Sequence, residues 1–69
     1  MSRRQRQLEE LHSLCRSGAL SHAIDLAFEH FADFGYDNGI VTELADAIDR
    51  MKVPDDICRR FAELRAAQG

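Results

Sequence analysis

The sequence has little that would interrupt a helix or cross-link the chain. Its 69 residues include a single proline, Pro54, so long stretches can stay helical. Only two cysteines are present, Cys15 and Cys58, too few for the disulfide framework of a small secreted domain. Two free thiols favour a reducing compartment, and we therefore expect a cytoplasmic protein.

Long apolar runs are also missing. No stretch approaches the length of a membrane-spanning helix, and residues 1–15 lack the apolar core of a secretory signal. The chain is long enough for one small domain, residues 1–69, which can bury only a modest core by itself. Because 45% of its residues are nevertheless hydrophobic, we expect a second copy to complete that core in a homodimer.

The middle of the chain lacks positive charge. Residues 17–49, here called the acidic segment, contain neither lysine nor arginine, whereas the segments on both sides are rich in arginine. Solvated helix faces usually mix the two signs, so this order predicts a carboxylate surface. In a homodimer, the basic ends of one protomer could lie across the acidic segment of the other. The acidic residues are Asp25, Glu29, Asp33, Asp37, Glu43, Asp46 and Asp49.

Apolar residues recur at helical spacing in four segments, which predicts an all-α bundle of about four short amphipathic helices. The first helix is predicted over about residues 3–16 and is ended by Gly18. The basic residues 1–6 would form its frayed, solvated start. The second helix is predicted to follow a cap at Ser21 and to stop at Gly35.

The other two helices have their own start and stop signals. Asp37 or Asn38 can cap the third helix. Val53 and Pro54 should end it, because the residue before a proline avoids the α conformation. Pro54 suits the first turn of the fourth helix, which would fray over residues 65–69.

The turn between the first two helices carries a pattern of its own. Residues 16–24, RSGALSHAI, resemble the turn of a tetratricopeptide repeat, with Gly18 at the turn glycine, Leu20 at the aromatic position and Ala23 at the small position. The resemblance covers residues 8–34, about half of one repeat, and no second repeat follows. It implies a single helical hairpin rather than a solenoid, since one repeat cannot bury its own apolar face.

Two side chains stand out as contact points for a protein partner. Leu26 falls outside the apolar arc of the second helix, between His22 and His30 and near Asp33, although an exposed leucine needs no function. Tyr36 either covers the loop against the third helix or is an exposed anchor of the kind that binding surfaces favour. The predicted partner-binding residues are Asp25, Leu26, Glu29, His30, Asp33 and Tyr36.

Patterns typical of catalysis and metal binding are lacking. His12 and Cys15 are the one base and thiol within range of each other, and a buried thiol beside a surface histidine is the commoner arrangement on a short amphipathic helix. No ligands have the paired spacing of a zinc site, and the loop DFGYDNG lacks the ligand pattern of a calcium loop. We therefore predict no enzyme activity, no metal and no cofactor.

The charge pattern favours binding to a protein. A carboxylate surface repels nucleic acid and attracts basic proteins, which predicts a small interaction protein that binds and inhibits a partner with a basic surface, such as a transcription regulator or a nuclease. In size and layout the chain is similar to the small helical anti-activators, anti-CRISPR proteins and immunity proteins of phages and bacteria. The alternative is a DNA-binding regulator that contacts phosphates through its basic termini, chiefly Arg3, Arg4 and Arg6. No membrane partner is predicted.

Overall fold

Four helices make up most of the chain in the computed structural model, which describes residues 2–66. They are α1 (Arg3–Ser17), α2 (Leu20–Phe34), α3 (Asn38–Met51) and α4 (Asp55–Ala66), and no strand occurs in that range. The prediction of an all-α bundle of four short helices is confirmed. The predicted fraying at the end of α4 falls mainly on residues 67–69, which lie outside the described residues.

α1 starts with a capped first turn. The hydroxyl of Ser2 accepts a hydrogen bond of 3.2 Å from the backbone N–H of Gln5. Residues 3–6 therefore belong to the first turns of α1, as predicted for a helix that starts at Arg3. Arg3 and Arg4 also form ion pairs with other elements, and the predicted fraying of residues 1–6 stays a prediction.

The turn between α1 and α2 is built on Gly18. Its φ of +86° is a left-handed conformation that glycine adopts at little steric cost, and it ends α1 as predicted. The N–H groups of Gly18 and Ala19 both donate to the carbonyl of Leu14, so the chain reverses at once. α2 consequently starts at Leu20, and Ser21 lies within its first turn instead of capping it.

The other two connections follow the sequence signals with small shifts. Asp37 caps α3 as predicted, since its side chain accepts a hydrogen bond of 2.9 Å from the N–H of Gly39. α3 ends at Met51, just before the predicted stop, because the next residue, Lys52, adopts a left-handed conformation. Pro54 precedes α4 rather than opening it, and its carbonyl accepts the first backbone hydrogen bonds of that helix.

The apolar core lies between the helices. α2 and α3 each contact the other three helices, whereas α1 and α4 do not touch in the described part of the chain. Ala23, Ala27 and Ala47 have no exposed surface, and their small size lets helix backbones approach closely. The buried apolar residues are Leu11, Cys15, Leu20, Ala23, Ile24, Ala27, Ile40, Val41, Leu44, Ala47, Phe61 and Leu64.

The left-handed conformation of Lys52 generates a first prediction. With φ at +49°, Lys52 is the one non-glycine residue of positive φ in the described range, and this conformation costs an L-residue about 1 kcal/mol. Lys52→Gly should therefore stabilise the fold by about 0.5 kcal/mol, because relief of strain outweighs the larger entropy of glycine in the unfolded chain. Chemical denaturation followed by circular dichroism would measure the change.

Arg59→Gly is the matched control for this prediction. It removes the same charge from an exposed position inside α4, where glycine should lower the free energy of unfolding by about 1 kcal/mol. A Lys52→Gly protein that is destabilised as much as Arg59→Gly would show that position 52 carries no relievable strain.

Candidate functional site

Three carboxylates in or beside α2 are paired with arginines from the two ends of the same chain. Two of the arginines belong to the first turn of α1 and the third to α4, so both basic ends fold over the acidic segment. Arg60 of α4 makes a second contact with α2, because it also donates a hydrogen bond of 3.1 Å to the hydroxyl of Ser21. The ion pairs are Arg3–Asp33 (3.0 Å), Arg4–Asp37 (3.8 Å) and Arg60–Asp25.

This pairing corrects the carboxylate surface predicted from the sequence. The basic ends meet the acidic segment within one chain, where the sequence suggested that they would meet it in a second protomer. Glu43 is also engaged, by His12 of α1. In the part of the chain that the structure describes, Glu29, Asp46 and Asp49 are the members of the acidic segment without an ion pair. The surface offered to a basic partner is therefore smaller than predicted.

His30 does not lie on the exposed face of α2. Only 1% of its surface is exposed, and its Nδ1 lies 2.9 Å from Oε1 of Gln7 on α1. Leu26 is half-buried and packs against the core. The predicted contact point around Leu26 and His30 is therefore corrected for His30, which is inside the molecule, while Leu26 is half-buried.

The prediction placed His30 on the wrong face because it misjudged which side of α2 is buried against the other helices. Ala23, Ala27 and His30 follow one another at the spacing of a single helix stripe, and all three are buried. A histidine counts as polar on a helical wheel, so the predicted apolar arc of α2 is centred away from His30. The two alanines are the signal that could have shown the stripe to be buried, because small residues are typical of close helix contacts.

The C-terminal end of α2 and the loop after it carry the large apolar side chains that are most exposed in the described range. Phe34 and Tyr36 are 40% and 37% exposed. Tyr36 packs on Phe31 with ring centroids 5.2 Å apart, and the guanidinium of Arg3 lies 5.2 Å from the centre of the Phe34 ring. We call Phe31, Phe34 and Tyr36 the aromatic patch.

Sequence reasoning found one half of this exposed pair. Tyr36 is among the predicted partner-binding residues, whereas Phe34 is assigned to the apolar arc of α2. The helix ends at Phe34 and Gly35 turns the chain away, so no further helical turn covers the ring. A large apolar residue directly before a helix-ending glycine is the signal that points to its exposure.

A second surface feature is an open groove of about 820 Å³ between α1 and α3, here called the α1/α3 groove. The two helices run parallel, since the contacts Arg4–Asp37 and His12–Glu43 occur in the same order along both. The groove therefore has an acidic end and a basic end. By this register Glu9 and Glu43 lie towards the first end and Arg16 and Arg50 towards the second, with Asp46 between them.

Cys15 lines this groove, and its surroundings make it a poor nucleophile. The residue is 2% exposed. Burial, reinforced by the negative charge of Glu43, raises the pKa of the Cys15 thiol to about 11. The thiolate is the reactive form of cysteine, so very little of it is present at neutral pH. The nearby His12 is itself engaged by Glu43.

The described residues contain neither a cluster of metal ligands nor a helix that could span a membrane. Between residues 2 and 66, no three histidine, cysteine, aspartate or glutamate side chains come together as potential ligands for a metal ion. No helix in this range combines the length and the apolar character that crossing a membrane requires.

Comparison with known proteins adds no family. No protein-family model matches the chain, and neither a curated protein nor a solved structure matches it. The tetratricopeptide resemblance of the α1–α2 turn therefore stays a prediction, as does the similarity in type to small inhibitor proteins. Function has to be inferred from the geometry of the surface.

The two cysteines should differ sharply in reactivity, because Cys58 is exposed and Cys15 is buried. We expect one equivalent of a thiol reagent to react rapidly with the native protein near neutral pH, and the second to react after unfolding. Cys58→Ser should abolish the fast phase and Cys15→Ser should keep it. Two fast equivalents in the native protein would contradict the burial of Cys15.

Proposed function

We propose that this chain is a small, non-catalytic protein-interaction module that docks through the aromatic patch and blocks the surface that it covers. The observation that carries the proposal is the exposure of Phe34 and Tyr36, since the other large apolar side chains in the described range are buried or half-buried. Aromatic side chains and arginine are enriched among the residues that dominate protein–protein binding energy, and Arg3 lies over the patch.

The patch is held in place before any partner arrives. Phe34 packs against the ring of His30, with centroids 4.9 Å apart, and Tyr36 packs against Phe31. Ordering a flexible side chain at an interface costs roughly 0.5–1.5 kcal/mol. Rings that their neighbours already hold avoid much of that cost, which favours their use as anchors.

Charge around the patch favours a partner with a basic surface. Asp33 is paired with Arg3, whereas Glu29, one helical turn earlier, forms no ion pair within the described residues. The net charge of −3 also attracts a positively charged partner over longer distances. We therefore retain the partner class predicted from the sequence, a cytoplasmic transcription regulator or nuclease that is inhibited when its basic face is covered. Apolar contact, rather than charge, is proposed as the larger contribution to affinity.

The alternative function, a DNA-binding regulator that uses Arg3, Arg4 and Arg6, gains no support from the geometry. Arg3 and Arg4 already pair with carboxylates, and phosphate groups would have to compete with those pairs. Arg6 is exposed beside them. One further arginine supplies a small share of the phosphate contacts on which non-specific DNA binding depends.

Removing both exposed rings tests the docking surface. A tagged Phe34→Ala/Tyr36→Ala chain should fail to retain a protein that the wild type captures from an extract of the host cell. Truncation of a central aromatic anchor costs about 2 kcal/mol of binding free energy, or about thirtyfold in Kd. Titration of the variant with the purified partner would measure this change in Kd. Glu63→Ala, at an exposed position on α4, is the matched control and should bind like the wild type.

Two further measurements separate the parts of this proposal. Glu29→Arg should weaken binding by less than loss of the two rings, because one exposed charge contributes less than an aromatic anchor. The activity of the purified partner on its nucleic acid should fall as the chain is added. If Phe34→Ala/Tyr36→Ala bound the partner as tightly as the wild type and kept its circular dichroism spectrum, the docking surface would lie elsewhere. If the activity of the partner were unchanged when it is saturated with this chain, the proposed inhibition would be contradicted.

The homodimer is proposed at a different surface from the one predicted. Arg3, Arg4 and Arg60 are paired within the chain, so these three arginines are not available to bridge two protomers. The α1/α3 groove, acidic at one end and basic at the other, is complementary to itself when two copies meet antiparallel about a twofold axis. Arg16, Arg50, Glu9 and Asp46 form no ion pair within the described chain, which leaves them for such a contact.

Charge swapping tests the dimer. Sedimentation equilibrium at low salt should show a wild-type dimer that dissociates as salt is added, because contacts between exposed charges are screened. Arg16→Glu/Arg50→Glu and Glu9→Arg/Asp46→Arg should each be monomeric, and mixing the two variants should restore a dimer. The mass of one chain for the wild type at low salt and high concentration would contradict the dimer. A dimer that persists in both variants would move the interface away from the groove.

A further inference from the structure

His30 is the one buried polar side chain among the described residues, and it joins two helices. Its exposed fraction is 1%. The ring nitrogen Nδ1 lies 2.9 Å from Oε1 of Gln7, a residue 23 positions earlier on α1. Because the carbonyl oxygen of an amide accepts and does not donate, Nδ1 carries the proton and donates it to Gln7. This hydrogen bond defines the neutral tautomer of a histidine that holds α1 against α2.

The other ring nitrogen has no partner. Nε2 is buried, and no donor in the described range reaches it. Two aromatic rings lie beside the imidazole: the centroid of Phe34 is 4.9 Å away, and Phe31 is edge-on at 6.4 Å. A buried, unpaired neutral acceptor already costs about 1–3 kcal/mol. A protonated Nε2 in the same place costs more, because the charge also loses its hydration.

The charged groups around His30 do not offset this cost. Those that act on the ring are Arg4 from α1, Asp33 on α2 itself and Asp37 in the loop after α2. Each aspartate is already occupied, Asp33 by Arg3 and Asp37 by Arg4. No carboxylate of this group is left over as a counter-ion for an imidazolium. Burial, reinforced by Arg4, accordingly lowers the pKa of His30 from its ordinary value.

We propose that His30 is an acid-sensitive latch that keeps the N-terminal half of α1 closed on α2. While the ring is neutral, it stays buried and its hydrogen bond to Gln7 holds the two helices together. A proton on Nε2 leaves a charged N–H against aromatic carbon, and water reaches it when α1 moves away from α2. Because the Phe34 ring contacts both His30 and Arg3, opening also rearranges the aromatic patch. The latch does not depend on the proposed partner or on the proposed dimer.

The direction of the pH effect follows from proton linkage. A histidine in the open or unfolded chain has a pKa of about 6.5, and the pKa of buried His30 is lower. As the pH falls below about 6.5, the open form therefore binds the proton first. The contribution of His30 to stability is complete above that pH and is lost as the pH falls towards the folded-state pKa. In this window each pH unit lowers the equilibrium constant for closing by up to about tenfold.

Equilibrium denaturation at several pH values tests the latch. The wild-type midpoint should fall between neutral pH and about pH 5.5. His30→Gln does not titrate, so its midpoint should change far less over that interval. His22→Gln, which removes an exposed histidine from the same helix, is the matched control and should keep the wild-type slope. A wild-type slope in His30→Gln, or a flat wild-type profile, would overturn the proposal.

A second pair of measurements requires no variant and remains decisive if His30→Gln does not fold. NMR titration of the wild type should give His30 a pKa below about 6.5. Hydrogen exchange, corrected for its intrinsic pH dependence, should show that α1 amides open more often as the pH falls while α4 amides keep their protection. An ordinary or raised pKa for His30 would refute the latch. Equal opening of α1 and α4 would show global unfolding instead.

Discussion

The structure depends on the burial of one stripe of α2. Ala23, Ile24 and Ala27 have no exposed surface and His30 has almost none, so α2 cannot rotate about its axis without opening a cavity or forcing a clash. This constraint fixes the direction of every other side chain on the helix. The carboxylates of α2 then face outward to where arginines of α1 and α4 meet them. At the C-terminal end the core stops, and Phe34 is left half-covered.

The arginine-rich ends of the chain neutralise part of the acidic segment between them through ion pairs within the same molecule. Exposed ion pairs usually contribute less than about 1 kcal/mol each, so the pairs of Arg3, Arg4 and Arg60 are a modest source of stability. Their larger effect is on specificity, because another placement of α1 or α4 would leave carboxylates of the acidic segment without a positive partner. The arginines at the ends of the chain thus favour one placement of α1 and α4 around α2. What remains for binding other molecules is mainly apolar and aromatic.

The sequence predicted features whose causes are local. Gly18 ends α1 and Asp37 caps α3 through contacts within a few residues, and both were predictable for that reason. The ion pair between Arg3 and Asp33 spans 30 positions, and a charge pattern shows its members without showing that they meet. The burial of His30 depends in the same way on α1, which supplies its hydrogen-bond partner from a distant segment. Hydrophobic periodicity predicts the average position of the buried face of a helix. It does not identify a polar residue at the margin of that face that another helix covers.

The aromatic patch was predictable only where its cause is local, and the α1/α3 groove was not predictable. Tyr36 follows a helix-ending glycine, and its exposure is consistent with the turn signals around it. Phe34 was missed because a helical wheel treats a helix as endless, whereas the last turn has no neighbour beyond it. The α1/α3 groove was not predictable, since it depends on the parallel arrangement of two helices that the chain separates by all of α2.

The lack of contact between α1 and α4 in the described chain has a consequence for how the domain comes apart. Either outer helix can detach from α2 and α3 without breaking any contact of the other. Unfolding of this small domain is therefore not bound to be all-or-none. α1 and α4 can therefore fray separately, and α2 and α3, which contact every other helix, are the elements expected to report the stability of the whole.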